Sequence, residues 1–230
     1  MKEKLITKPN LKALGNKKNS LLSKIFGKKR IIALAGDKNT GKTNNLVFLI
    51  QEFREHNKKT EIFSYGLPKE VQQHLKKAHK VKEISSLRHL IRKKHCIIII
   101  DEFQKLKLND RRYKDDLDEF IDFIYHNNVF CILSSPNIRE FNSIIGSVIE
   151  RWMLKNVSLD ACVRGSQLRK IVTDYKGRQK LLKSIQVEKN ELLLINDTEE
   201  IIIKCDYVPE ADNKKSNEDI WSIGNEVKKK

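Results

Sequence analysis

Four cysteines, Cys96, Cys131, Cys162 and Cys205, are scattered through 230 residues without one C-x-x-C pair. That excludes a disulfide framework and points to a reducing interior. Cys96 and Cys131 lie in apolar runs and read as small buried hydrophobes. No apolar stretch approaches the ~18 residues that a bilayer-spanning helix needs, so no integral membrane segment is expected. The basic N-terminus lacks an apolar core followed by a small-residue cleavage site, so it does not read as a signal peptide. No segment repeats. Acidic charge is also short: Asp+Glu 30 against Lys+Arg 46 leaves a net +16. Such a balance excludes a binder of cationic partners and suits an anion: nucleic acid, nucleotide or an acidic membrane face.

What is present is unevenly placed. Residues 1–30 hold nine Lys and Arg30 against Glu3 alone, a surplus of +9. Lys228, Lys229 and Lys230 add +3, which leaves +4 for residues 31–227. The middle is near balance and the ends are basic. Lysines in such arms displace counterions from a nucleic-acid backbone without reading its sequence.

Residues 1–29 show no sustained periodicity, though Leu21, Leu22, Ile25 and Phe26 allow an amphipathic turn or two. The pattern changes at Ile31. Ile31-Ile32-Ala33-Leu34-Ala35 is a continuous apolar run closed by Gly36, as expected for a strand buried on both faces. Leu46, Leu49, Ile50 and Phe53 then recur at helical spacing. Glu61 to Tyr65 reads as a second strand, stopped by Gly66 and Pro68, and residues 69–94 as mostly helical with a short extended piece near Val81. Cys96 to Ile100 is a third strand. Tyr113, Leu117, Phe120, Ile121 and Ile124 form a helical stripe, with Asp115, Asp116, Asp118, Glu119 and Asp122 facing outward. Val129 to Leu133 is a fourth strand, and Phe141, Ile144, Ile145 and Val148 suggest a short helix. Beyond about residue 150 the runs shorten. Trp152 to Leu154, Leu168 to Val172, Leu192 to Ile195 and Ile201 to Lys204 read as β, the last two as a hairpin split by Asn196-Asp197. Strands alternating with helices from 31 to 150 imply a mainly parallel sheet flanked by helices. The β-rich end would extend that sheet or cover an edge.

The strongest motif is Gly36-Asp37-Lys38-Asn39-Thr40-Gly41-Lys42-Thr43, which fits G-x-x-x-x-G-K-[ST] between a strand and a helix. Such a loop turns its backbone N–H groups inward onto phosphates, and the helix behind it presents a positive N-terminus. Gly36 through Asn44 are therefore candidate ATP-binding residues. Lys42 would neutralise the β- and γ-phosphates, and the Thr43 hydroxyl would hold Mg²⁺. A second element, Ile97-Ile98-Ile99-Ile100-Asp101-Glu102, puts two carboxylates at the C-terminal rim of the sheet, where open α/β sheets bind ligands. Asp101 would hold Mg²⁺ through water, and Glu102 would act as the general base on an attacking water. The third is Ser134-Ser135-Pro136-Asn137. If its strand lies between those of Gly36 and Asp101, Ser135 or Asn137 can sense the γ-phosphate.

These three elements together resemble the additional-strand, catalytic-Glu division of P-loop ATPases. An Arg-rich kinase lid is missing. Asp101-Glu102-Phe103-Gln104 is similar to a stretch of thymidine kinases, but the paired cysteines of their zinc lobe are absent. An AAA+ module would continue into an α-helical lid, whereas residues 165–205 read as β. Within the RecA-like cores, the chain resembles the FtsK–HerA group, which includes genome-packaging ATPases of membrane-containing viruses. That group often carries Gln at the end of the fourth strand, where this chain offers Ser135 and Asn137.

The resemblance implies a Mg-dependent ATPase with ATP and Mg²⁺ as cofactors. It further implies a homo-oligomeric ring, hexameric by preference, that moves double-stranded DNA. A neighbour's arginine would complete each site; Arg139, Arg151 and Arg164 are the candidates, with Arg151 preferred. Lys107, Arg111 and Arg112 would line a DNA-facing loop. The expected division is a basic arm over 1–29, an ATPase domain over 30–206 and a polar tail over 207–230, in a cytoplasmic setting (host cytoplasm or virion if viral). The alternatives are a nucleoside-type kinase and a nucleotide-gated clamp or adaptor.

Overall fold

The structure is a computed structural model that describes residue 25 and residues 29–56, 58–90, 93–106, 114–141, 143–158, 184–185, 187, 190–195 and 200–207. Most of the basic arm, the Leu168 to Val172 run and nearly all of the tail lie outside these residues. So do Lys107, Arg111, Arg112, Tyr113, Cys162 and Arg164.

The core is an eight-stranded sheet. Its strands are β1 (Ile31–Ala35), β2 (Ile62–Tyr65), β3 (Lys82–Glu83), β4 (Ile97–Ile100), β5 (Phe130–Ser135), β6 (Arg151–Leu154), β9 (Glu191–Ile195) and β10 (Glu200–Lys204). They run in the order β10-β9-β6-β1-β5-β4-β2-β3. The six from β6 to β3 pair in parallel. β9 pairs antiparallel with both β6 and β10. The expected hairpin is present and extends the sheet. A separate two-stranded ladder joins β7 (Val157–Ser158) to β8 (Ser184–Ile185).

Why these segments become central strands follows from their composition. β1 and β4 are apolar at every position and buried at every position, which requires cover on both faces. One face carries Ala33, Ala35, Ile98, Ile100 and Leu133 against Leu117, Phe120 and Ile124 of helix α3 (Lys114–His126). The acidic residues of α3 named above are exposed on its other side. The opposite face carries Ile32, Leu34, Ile99 and Ile132. It packs on Leu46, Leu49 and Phe53 of α1 (Lys42–His56) and on Val71 and Leu75 of α2 (Lys69–His79). Each of the Val, Leu, Ile and Phe side chains among them, fully buried, contributes roughly 1.5–3 kcal/mol. The expected helix over 69–94 is shorter than its pattern. It ends at His79, Lys80 takes a left-handed turn whose N–H bonds Leu75 O, and β3 and a 3₁₀ turn at Leu87–Leu90 follow. α4 (Ser143–Val148) is the short helix after β5.

The order places β5 between β1 and β4. Gly36, Asp101 and Ser135 therefore leave neighbouring parallel strands at one rim.

Candidate active site

The phosphate loop is shaped by close approach of Lys155, the residue that follows β6. A Cβ on Gly36 would lie 2.8 Å from Lys155 Cβ and 3.1 Å from Thr40 Oγ1, so no larger residue fits there without displacement. Asn39 and Gly41 take positive φ, 62° and 88°. Thr40 Oγ1 donates to Asp37 O at 2.9 Å, and Asn45 N to Gly41 O at 3.1 Å, the first bond of α1. The Lys42 ammonium sits in the loop, donating to Gly36 O at 2.8 Å and to Asp37 O at 2.7 Å. Burial lowers its pKa from the usual 10.5, against the pull of Asp101, Asp37 and Glu102. Desolvation disfavours the charged form, and the three carboxylates restore part of it. Asp37, Lys38 and Asn39 are exposed at the loop's crest, while Thr43 is half-buried and Asn44 buried. The Asn44 amide donates to Asp206 O at 3.2 Å.

Asp101 follows β4 and is only 6% exposed. Burial pushes its carboxyl above the usual 3.8; the Ser134 hydroxyl, the Glu102 N–H and Lys42 oppose that rise. The Glu102 N–H donates to Asp101 Oδ1 at 3.1 Å. The Asp101 backbone is fixed from β2. Its N–H donates to Tyr65 O at 2.9 Å, and a Cβ on Gly66, at φ 77°, would meet Asp101 O at 2.3 Å. Glu102 has φ 52°, a left-handed conformation that is costly for a side chain of this kind. It is pinned on both sides. Asp101 is buried before it, and behind it Phe103, wholly buried, packs in a tilted pair with Phe141, their centroids 4.7 Å apart. Phe141 in turn meets the edge of Trp152 at 5.2 Å. The Glu102 carboxylate is partly exposed and paired with Lys105 in the same turn.

The predicted residues thus divide. Lys42, Thr43, Asp101 and Glu102 come to one rim. Ser135 reaches the rim but is engaged locally. Its Oγ donates to Asn137 O and accepts from Asn137 N, both at 3.1 Å. Asn137 is exposed, and its Oδ1 caps the turn Ile138–Glu140 by accepting from Arg139 N at 3.0 Å. Arg139 is exposed at the same rim. Arg151 is not brought to this rim. In the parallel register it stands level with Ile32, at the opposite end of the sheet, and donates to Ile25 O at 2.6 Å.

Two site residues were missed. Ser134 is fully buried with no hydrogen bond of good geometry, and it neighbours Asp101. Strand alternation could have found it. Ile132 faces α1, so Ser134 does too, and Ser135 faces the other way. Lys155 is fully buried beside the loop, donating to Asn45 Oδ1 at 3.2 Å; nothing in its sequence neighbourhood marks it.

The donor set fits a hard cation. Thr43 and Asp101 offer hydroxyl and carboxylate oxygens, and among the described residues no group of three or more His, Cys, Asp or Glu could hold a metal. Two oxygen side chains suit Mg²⁺, which keeps waters and shares nucleotide phosphates rather than sitting in an all-protein cage.

Residues 32–155, more than half of the chain, match the AAA family, the ATPase family associated with various cellular activities. The chain belongs to the AAA family of ATPases. It is an ATP-hydrolysing enzyme, as the phosphate loop and the Asp101-Glu102 strand end implied. The sequence pattern had spoken against the AAA+ division for want of a helical lid; the family match corrects this for the core. The match ends at Lys155, and the described residues beyond it include the strands β7 to β10.

Solved structures share the fold at low identity. The DNA-packaging ATPase B204 of Sulfolobus Turreted Icosahedral Virus is 12% identical with a TM-score of 0.53, over 78% of this chain and 98% of that one. The genome packaging NTPase B204 of Sulfolobus turreted icosahedral virus 2, in complex with ATP-gammaS, is 15% identical at 0.52, over 78% and 97%. Thermomonospora curvata EccC (ATPases 2 and 3) is 8% identical at 0.53, over 78% of this chain and 37% of its own. No curated protein matches the sequence.

Proposed function

We propose that this AAA ATPase is a Mg²⁺-dependent, ring-forming motor that moves double-stranded DNA, with packaging of a viral genome as its specific task. The observation that carries this is the charge distribution. The +16 lies mostly in residues 1–30 and the final three lysines, apart in sequence from the phosphate loop and the Asp101-Glu102 strand end, so those motifs do not account for it. A likeness in fold to viral packaging ATPases supports the same direction. On this reading residues 1–29 form a DNA-binding arm, 30–206 the motor and 207–230 a tail. Lys107, Arg111 and Arg112 add phosphate contacts within a hexameric ring. The setting is cytoplasmic, or a virion.

The residues act as follows. Lys42 pairs with the β- and γ-phosphates, and the loop's N–H groups hold them. Thr43 and Asp101 would hold Mg²⁺, which would supply charge neutralisation for the transferred phosphoryl group. Glu102 accepts a proton from the attacking water. Arg139, exposed at the rim, is better placed than Arg151 to face a neighbour's γ-phosphate.

The deciding assay is ATP hydrolysis at low salt with and without double-stranded DNA. Stimulation by DNA is expected, together with a larger mass in solution when ATP and DNA are both present. Hydrolysis indifferent to DNA would overturn the motor assignment and leave the ATPase intact. Removing residues 1–29 should weaken DNA binding more than ATP binding; equal effects would remove the arm from the scheme.

A further inference from the structure

Five exposed lysines gather at the rim where the parallel strands begin, opposite the phosphate loop. Lys58 and Lys59 stand in the turn between α1 and β2. Lys76 and Lys77 lie in the last turn of α2, and Lys80 follows it. The topology makes these turns neighbours. α1 and α2 pack on the same face of the sheet, and β2 runs parallel beside β3 with Phe63 level with Lys82.

Both turns are fixed. Arg54 Nη1 donates to Lys58 O at 3.1 Å and to Thr60 O at 2.8 Å. The Lys80 N–H donates to Leu75 O with φ at 54°. Glycine is the residue favoured in that conformation, so a lysine there costs stability. No carboxylate answers the five. Among the described residues none of them joins an ion pair. Glu61 is taken by Lys82 and Lys93, and Glu55 and Glu83, exposed nearby in the chain, reach none of them. ATP does not use them either. Lys42 opens the fifteen-residue α1 and Lys58 lies past its end, about 22 Å away at about 1.5 Å per residue.

The basic arm joins the domain at this same rim. Ile25 is buried on the face of α1 and α2, and its carbonyl accepts from Arg151 at the start of β6. Residues 1–24 carry seven Lys against Glu3. From β6 to β3 the sheet order counts five strand spacings, about 24 Å at about 4.8 Å each.

The surroundings select the anion. The exposed large apolar side chains among the described residues are Tyr125, on α3 across the sheet, and Tyr207, after β10. A bilayer surface would want apolar groups to insert beside the lysines, and single-stranded bases would want aromatic platforms. Lysines alone suit the phosphates of a duplex, held without reading sequence.

We propose that Lys58, Lys59, Lys76, Lys77 and Lys80 form a second DNA-contacting surface, which holds the backbone of duplex DNA at the far end of α1 from ATP. The inference rests on the DNA-motor reading and gives that reading a face of the folded domain.

The test uses the full chain. One variant combines Lys58→Gln, Lys59→Gln, Lys76→Gln, Lys77→Gln and Lys80→Gly. Affinity for a duplex of about 30 bp is measured between roughly 50 and 200 mM salt. Each lost contact should flatten the slope of log affinity against log salt by about 0.9, or about 4.5 for all five. The unfolding midpoint should not fall, because glycine relieves the left-handed turn at Lys80. Lysine acetylation of the wild type, mapped with and without duplex, should show protection of the five and none of Lys69, exposed at the other end of α2. Should the combined variant fail to fold, Lys80→Gly alone and the acetylation map carry the test. If the wild type binds duplex with the variant's salt slope equal to its own, or with Lys69 protected as well as the five, the proposal is overturned and the motor reading stands. A wild type that ignores duplex overturns the motor reading itself. If that chain binds phosphatidylserine vesicles through the same lysines, the surface belongs to a membrane.

Discussion

The two rims of the parallel sheet use similar residues to opposite ends. Where the strands begin, the carboxylates are matched. Glu150 Oε2 accepts from the N–H groups of Arg30 and Ile31, Glu61 pairs with Lys82 and Lys93, and the Arg30 guanidinium lies 4.4 Å from the Phe130 ring centroid. Where the strands end, polar groups are matched only in part. The Asp101 carboxyl is buried and its pKa raised, Lys42 is desolvated, Ser134 has no good hydrogen bond and Glu102 is held at positive φ. One rim secures the sheet. The other stores groups whose complement is the ligand, as functional sites commonly do. Mutations should separate along this line: activity lost at the exit rim, stability at the entry rim.

The largest separation should come from Lys42→Ala. It removes the charge at the centre of the loop, and ATP affinity should fall by at least ~10²-fold. The unfolding midpoint without nucleotide should move little, because a desolvated ammonium leaves with the side chain. Calorimetry on the variant checks both. Glu102→Gln comes next. Turnover should drop by about 10²–10⁴-fold with ATP binding retained; full turnover would show that Glu102 is not the base.

Glu150→Ala is the reciprocal case. It orphans the N–H groups of Arg30 and Ile31 at the start of β1. A cost of about 1–3 kcal/mol is expected, seen as a midpoint several degrees lower. ATP turnover per folded molecule should stay unchanged. A loss of turnover at full stability would mean that the two rims are coupled.

How much of this was legible in the sequence depends on how local each feature is. The phosphate loop and the Asp101-Glu102 strand end are contiguous, so their residue types speak for themselves. The hairpin of β9 and β10 was readable for the same reason. Arg151 was misleading because proximity in sequence to β5 says nothing about which rim it occupies. It opens a parallel strand, and the parallel register carries every opening residue to the far end. Ser135 was preferred over Ser134 where counting alternation from Ile132 would have decided for Ser134. Lys155 was beyond reach. Its meaning comes from contacts with Gly36 and Asn45, more than a hundred residues earlier, and its neighbours Leu154 and Asn156 carry no motif. The φ of Glu102 was equally hidden, since it follows from the burial of Asp101 and Phe103 on either side.

The smallest predicted effect probes the comparison most directly. Burial raises the Asp101 carboxyl above 3.8, so over a window opening at that value the folded protein holds a proton that the unfolded chain has released. The stability associated with Asp101 is therefore full below 3.8 and is lost as pH rises through the folded-state pKa. Above that window the native state carries a buried carboxylate that Ser134, the Glu102 N–H and Lys42 offset only in part. Asn at this position is neutral throughout. Asp101→Asn should accordingly unfold at a higher temperature than the wild type near neutral pH, in metal-free buffer. The gap should close as pH falls toward 3.8. Melting curves of both proteins across the acid-to-neutral range measure it. A variant less stable at neutral pH, or a gap that ignores pH, would place Asp101 among the matched charges, in the same class as Glu150.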